Sequence, residues 1–341
     1  MYCLQHLAYE NSCGKLRRAL DEHRPGHMVF LIGPSGAGKT TMRRSVMQEM
    51  FGDPAHWGRG KIPAIEQFAL LANQSYFSSK DFVRELLSEL HDPSLQWLLR
   101  DSSIPAAKLS QIRSQLKITH DLWNNLRPIK GTEGELWAAF RRGLVARGCK
   151  YVSIDQVTAL LKNHRDTSPA DHTLHLMALA ESCEIMFIMT GVHEAARLWN
   201  VHSELRRRVI VVWAPPYSDR RPADKVPFLR VLRSLESKFR FSQRDMLLRM
   251  SGDVLAATGG IFGQIFELLI RADHLAQDEG SNRILKRHVE GAYMSDADMT
   301  AMWRDVEAFE DTMAAGDVSQ RSSLVRARWK LPSISTTDRA L

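Results

Sequence analysis

Five short apolar runs punctuate the chain, separated by longer segments whose apolar residues recur every three or four positions. The runs are His27–Gly33, Ile62–Ala72, Tyr151–Asp155, Glu184–Thr190 and Val209–Trp213. Each is too short for a core helix, and most lack polar alternation, so they read as strands buried on both faces. Helical spacing is read from just after Lys39 to about Phe51. It recurs over Ser79–His91, Pro105–Lys117, Gly134–Gly148 and Pro169 to about Ser182. Strands alternating with helices predict a parallel sheet covered by helices on both sides. Beyond Pro215 and Pro216 no strong strand pattern returns, and helices alone are expected to about Met313.

Four parts follow: a helical segment over 1–25, an α/β nucleotide-binding domain over 26–215, a helical subdomain over 216–313, and a flexible basic tail over 314–341. The tail is rich in serine and arginine with little periodicity. It carries Arg321, Arg326, Arg328, Lys330 and Arg339 around Trp329.

Charge and composition narrow the function classes only slightly. The 341 residues carry a formal net charge of +7, which suits an anionic partner such as nucleic acid. No run approaches the ~18 apolar residues of a membrane span, and the N-terminus lacks a basic start followed by a long apolar core. The expectation is a cytoplasmic protein with no membrane partner. Cys3, Cys13, Cys149 and Cys183 are far apart and form no CxxC pair, as expected of reduced thiols.

The chemistry begins at the end of the first strand. Gly33, Pro34, Ser35, Gly36, Ala37, Gly38, Lys39 and Thr40 spell G-x-x-x-x-G-K-T, with Thr41 next and a helix following. Glycines let backbone N–H groups face phosphates, and the helix N-terminus adds its positive end. Lys39 is placed to reach the β- and γ-phosphates, and the Thr40 hydroxyl to bind Mg2+. Asp155 ends the third strand, where its carboxylate would hold the same Mg2+. Gln156 follows it, at a position where a glutamate would activate water. Its amide can hydrogen-bond a water but cannot take a proton. Thr190 ends the fourth strand and is expected to orient the attacking water. Arg206, Arg207 and Arg208 precede the fifth strand, and one of them could reach a neighbour's nucleotide as a catalytic finger.

In this order GPSGAGKT, YVSIDQ, FIMTGVHEA, ELRRRV, WAPPY, LRSLESKF and ATGGIFGQIFELLIRA resemble the AAA+ ATPases of the TniB/TnsC type, regulators of target choice in DNA transposition. The resemblance covers about Gly26–Arg287. It implies an AAA+ P-loop NTPase fold with a five-stranded parallel sheet of order 5-1-4-3-2 and a helical C-terminal lid. It also implies ATP and Mg2+ as cofactors and assembly of identical subunits into rings or filaments on duplex DNA. The implied partners are a DDE-type transposase and a TniQ-type target selector. Two departures stand out. Gln156 replaces the usual glutamate, which implies slow or absent hydrolysis. The lid opening GGIFGQIF lacks the arginine with which many AAA+ proteins sense the γ-phosphate. Gln156 is either native, with ATP acting mainly as a switch, or a Glu→Gln change; the isosteric loss of just the base favours the second. The alternative functions are a replication initiator or helicase loader and, further off, a small-molecule P-loop kinase.

DNA contact is expected from the basic segment Arg100–Lys130, above all from Lys108, Arg113 and Lys117, whose spacing brings them near one side of a helix. Such residues touch phosphates and not base edges, so binding would be tolerant of sequence. Trp97, Trp123 and Trp137 are expected in the core. The basic tail is open to three readings: a docking peptide for a transposase, a nonspecific DNA arm or a linker.

Overall fold

The computed structural model describes residues 7–71, 76–98, 106–117, 131–162, 168–200, 202–314 and 319–329. The five strands form where the apolar runs predict them: β1 (Met28–Ile32), β2 (Ala64–Phe68), β3 (Tyr151–Asp155), β4 (Met186–Gly191) and β5 (Val209–Trp213). They make one parallel sheet in the order β2-β3-β4-β1-β5, the expected order read from the other edge. Every residue of β1, β3 and β4 is buried, which explains why these runs lack polar alternation.

Helices α1 (Leu7–Asp21), α2 (Lys39–Phe51), α3 (Ser79–His91), α4 (Ala106–Leu116), α5 (Glu133–Arg147) and α6 (Pro169–Ser182) accompany the sheet. Their ends follow local chemistry. At α5, Thr132 and Glu135 form a reciprocal capping box, and Gly148 closes the helix at φ +61°. At α3, the Ser78 hydroxyl accepts from the Asp81 N–H at 3.2 Å. Helix α1 is tied to the sheet at two points. The Ser12 hydroxyl donates to the Trp213 carbonyl at 3.0 Å, and the Tyr151 hydroxyl donates to the Leu20 carbonyl at 2.9 Å.

Short helix α7 (Ser203–Arg208) leads into β5. After the sheet come α8 (Lys225–Glu236), α9 (Met246–Arg249), α10 (Ser251–Thr258), α11 (Phe262–Asp278) and α12 (Lys286–Gly291). They enclose a second core around Leu232, Leu235, Leu247, Ile265, Leu269 and Val289. Helix α13 (Asp296–Met313) then returns to the sheet. Its Phe309 is fully buried in the first core, edge-on to Trp213 with ring centroids 5.8 Å apart. The stretch expected as an aperiodic tail carries helix α14 (Ser319–Trp329), on which Leu324, Val325 and Trp329 are exposed. Among the described residues, no single helix is long and apolar enough to cross a membrane.

Trp97 and Trp137 lie in the core as expected, whereas Trp123 falls outside the described residues. Cys13, Cys149 and Cys183 are not joined in disulfides.

Candidate active site

Parallel register brings the motifs together. Phe30 pairs with Met189 and Leu31 with Thr190, while Ile154 also pairs with Met189. The carboxyl ends of β1, β3 and β4 therefore stand side by side, at the edge where open α/β sheets hold their ligands. The loop from Gly33 to Gly38 leaves β1 there and turns directly into α2. Gly36 and Gly38 hold φ values of +81° and +80°, a left-handed backbone that glycine adopts without strain.

Thr40, in the first turn of α2, donates its hydroxyl proton to Asp155 Oδ2 at 2.7 Å. Lys39 is folded over its own loop, with Nζ 2.9 Å from the Gly33 carbonyl and 2.8 Å from the Pro34 carbonyl. Burial pulls the Lys39 ammonium down to about 8, against the opposing pull of the Asp155 charge. A hydroxyl and a carboxylate this close, at a helix N-terminus, form the hard-oxygen donor set that suits Mg2+, which keeps most of its shell as water and phosphate. The residues present therefore fit a Mg-nucleotide: Thr40 and Asp155 would hold the cation, and Lys39 with the glycine loop would hold the phosphates.

Gln156 occupies the turn after β3 in a left-handed conformation, φ +55°, unusual for a residue that is neither glycine nor asparagine. It is exposed, and its backbone N–H donates to Asp155 Oδ1 at 2.8 Å. Thr190 is fully buried, and Arg43 NH1 points at its hydroxyl at 3.5 Å, the outer limit of a hydrogen bond.

Three features had not been expected. Arg43, one turn beyond Thr40, is wholly buried and lies under the site. It donates to Glu66 on β2 and stands 3.2 Å from Asp155 Oδ2. Arg44 adds a bidentate contact to Glu66 at 2.9 and 3.0 Å. The signal in the sequence was a lone acid inside the apolar run Ile62–Ala72, and two arginines on the helix face that also carries Thr40.

The second is the lid. The Gly263 N–H donates to the Gly36 carbonyl at 3.0 Å, so the start of α11 rests directly on the phosphate loop. The sequence held no signal for it, because a backbone contact leaves no mark in side-chain type. The third is Arg147, fully buried at the end of α5. It donates to the carbonyls of Gly60, Leu90, His91 and Leu116. Leu90 and His91 end α3, Leu116 ends α4, and Gly60 lies in the turn before β2.

The arginine triplet lies at the opposite edge of the sheet. Met28 pairs with Val209, so Arg208 stands level with the beginning of β1. Five strand residues, roughly 16 Å, separate that level from the phosphate loop. Arg208 is engaged by Glu181 at 2.7 and 3.2 Å, while Arg206 and Arg207 are exposed. Of the DNA candidates, Arg113 and Lys117 are exposed on and just beyond α4, whose Ile112 is buried. The Lys108 side chain lies outside the described residues.

Comparison with known proteins bears on the fold and the family. No curated protein matches the chain. The ORC2 protein of Aeropyrum pernix is similar in structure in its ADPNP-ADP complexes, with a TM-score of 0.50 and 15% identity over 86% of this chain and 69% of that one. Its ADP form gives 0.50 and 14% over 86% and 70%. The Walker-type ATPase PABY2304 of Pyrococcus abyssi gives a TM-score of 0.43 and 18% identity over 88% and 89%. At these identities the ORC2 likeness speaks for the fold alone. A family model described as AAA domain matches residues 22–199, more than half of the chain and all of the strands except β5. With the sheet order and the phosphate loop in agreement, the chain belongs to the AAA domain family.

Proposed function

We propose that this chain is an ATP-binding regulator of DNA transposition that assembles with copies of itself on duplex DNA and links a target selector to a transposase. The observation that carries the assembly is the division of the site across the sheet. Lys39, Thr40, Asp155 and Thr190 gather at one edge, while Arg206 and Arg207 are exposed at the other. An arginine about 16 Å of strand away from its own phosphate loop is too far to touch its own nucleotide. It can serve the next subunit in a ring or filament, where a cation stabilises the charge of phosphoryl transfer. Arg208, held by Glu181, is the least free of the three. Bound Mg2+ would supply charge neutralisation at the phosphates. The chain's own part is to position them with Lys39 and the loop amides, and to lead DNA past Lys108, Arg113 and Lys117.

Gln156 makes the site one that binds ATP and turns it over slowly. The assembled state then lasts as long as ATP stays bound. The TniB/TnsC resemblance of the motif series supports the role in transposition, with a DDE-type transposase and a TniQ-type selector as partners.

Electron microscopy of the full chain with duplex DNA, in ATP and in ADP, tests the reading. Rings or filaments with ATP alone support it, and dispersed particles in both nucleotides would overturn it. A replication initiator or helicase loader would assemble without engaging a transposase. A pull-down with the purified DDE-type transposase separates the two.

A further inference from the structure

We propose that Glu66, acting through Arg43, sets how tightly Thr40 and Asp155 bind the divalent cation that accompanies ATP. The inference rests on the nucleotide-binding reading above and adds two positioning residues to it.

One oxygen carries the argument. Asp155 Oδ2 accepts the Thr40 hydroxyl at 2.7 Å and faces Arg43 NH2 at 3.2 Å. A cation drawn to Thr40 and Asp155 therefore meets a carboxylate already shared with a guanidinium. The two positive charges compete for it, in a place where burial leaves little water to screen them. Glu66 moderates the contest. It pairs with Ser153 in strand register, one two-residue step below Asp155, and holds the same Arg43 NH2. Its negative charge offsets that of Arg43 and draws the guanidinium away from Asp155. Arg44 pins the Glu66 carboxylate from the side facing solvent and is itself held by Gln96 at 2.8 Å.

A stabilising role alone does not account for the arrangement. A buried ion pair is often no better for stability than an apolar pair of similar volume. Arg43 is also incompletely satisfied, since its Nε has no hydrogen-bond partner. What the guanidinium does reach is Glu66 and, at the phosphate edge of the sheet, Asp155 and, at 3.5 Å, Thr190. Glu66 sits too low on β2 to replace Gln156 as a base, because the strand end lies two residues further on.

The signs are opposite for two variants. Glu66→Gln leaves Arg43 unscreened beside Asp155, so cation binding weakens. Arg43→Met combined with Glu66→Gln removes both charges and frees Asp155, so cation binding strengthens beyond wild type. The measurement is ATP binding to the full chain by calorimetry, with Mg2+ titrated and again in EDTA. Glu66→Gln is expected to need about ten-fold more Mg2+ for half-saturation, and the double variant several-fold less than wild type. ATP affinity in EDTA should stay within about two-fold in both. Arg43→Lys keeps the charge and should stay near wild type; it serves in place of the double variant if that chain does not fold. Movement of Glu66→Gln and the double variant in the same direction overturns the inference. So does an unchanged Mg2+ requirement in Glu66→Gln, or a large shift in Arg43→Lys. A wild-type chain that binds no ATP overturns the nucleotide reading instead.

Discussion

The Thr40 hydroxyl and the Asp155 carboxylate meet at 2.7 Å across 115 residues of chain. Neither strand periodicity nor helix propensity brings them together. Their contact follows from β3 lying two strands away from β1, with α2 folded back across the sheet between them. The two groups are thus arranged by the fold itself, and those around them can be tested one at a time.

Lys39 makes ATP affinity depend on pH. With its free-site value pulled down to about 8, the lysine is charged at pH 7 and largely neutral at pH 9. Phosphate binding requires the charged form, so affinity should fall above pH 8, by up to about ten-fold per pH unit. Binding measured at pH 7, 8 and 9 checks this. Lys39→Ala should bind weakly at all three.

Placing a base at position 156 should raise turnover. Gln156→Glu is expected to raise ATP hydrolysis by about 10²–10⁴-fold, the usual worth of a positioned general base. Phosphate release during steady-state turnover reads it. Unchanged turnover would mean that the exposed, left-handed turn does not aim this side chain at the attacking water.

Gly263→Ala should uncouple the lid. A Cβ there would sit 2.6 Å from the Gly36 carbonyl and 3.0 Å from its Cα, both backbone atoms with no rotamer to yield. Moving α11 off the loop should weaken ATP binding, at a cost on the order of 1–3 kcal/mol. The circular dichroism spectrum should not change, because the second core is untouched.

Arg147→Met should strip four carbonyls of their donor at once. Unsatisfied buried acceptors are expensive, and a loss of about 3 kcal/mol or more is expected in chemical denaturation. Because Leu116 closes α4, the same variant should also weaken the DNA contact proposed for Arg113 and Lys117, read by a DNA-binding titration.

Acid should destabilise the region around His172. Its Nε2 is buried without a hydrogen-bond partner, and its ring meets Phe77, Phe82 and Trp137. Burial, assisted by His175, pushes it down to about 4. The unfolded chain therefore binds the proton more readily than the folded one below about pH 6.5. Stability tied to the neutral ring is complete above that pH and is lost as pH falls toward 4, by up to about 3 kcal/mol. His172→Phe should flatten this part of the stability profile, read by urea denaturation between pH 7 and 4.

The sequence by itself determined the strands, most of the helices and the identity of the phosphate site. These rest on local rules. Two-sided burial makes apolar runs such as Met28–Ile32, and a phosphate turn needs its glycines and lysine at set spacings. Asp155 was legible because it closes such a run. Only the tertiary structure decided what stands behind the site. Glu66 and Arg43 meet through the pairing of β2 with β3 and the packing of α2. Gly263 reaches Gly36 through backbone atoms that leave no trace in residue type. Arg147 gathers carbonyls from segments far apart in the chain. Such contacts are set by register and packing, which couple distant residues. A pattern read along one segment carries no information about which other segment will face it.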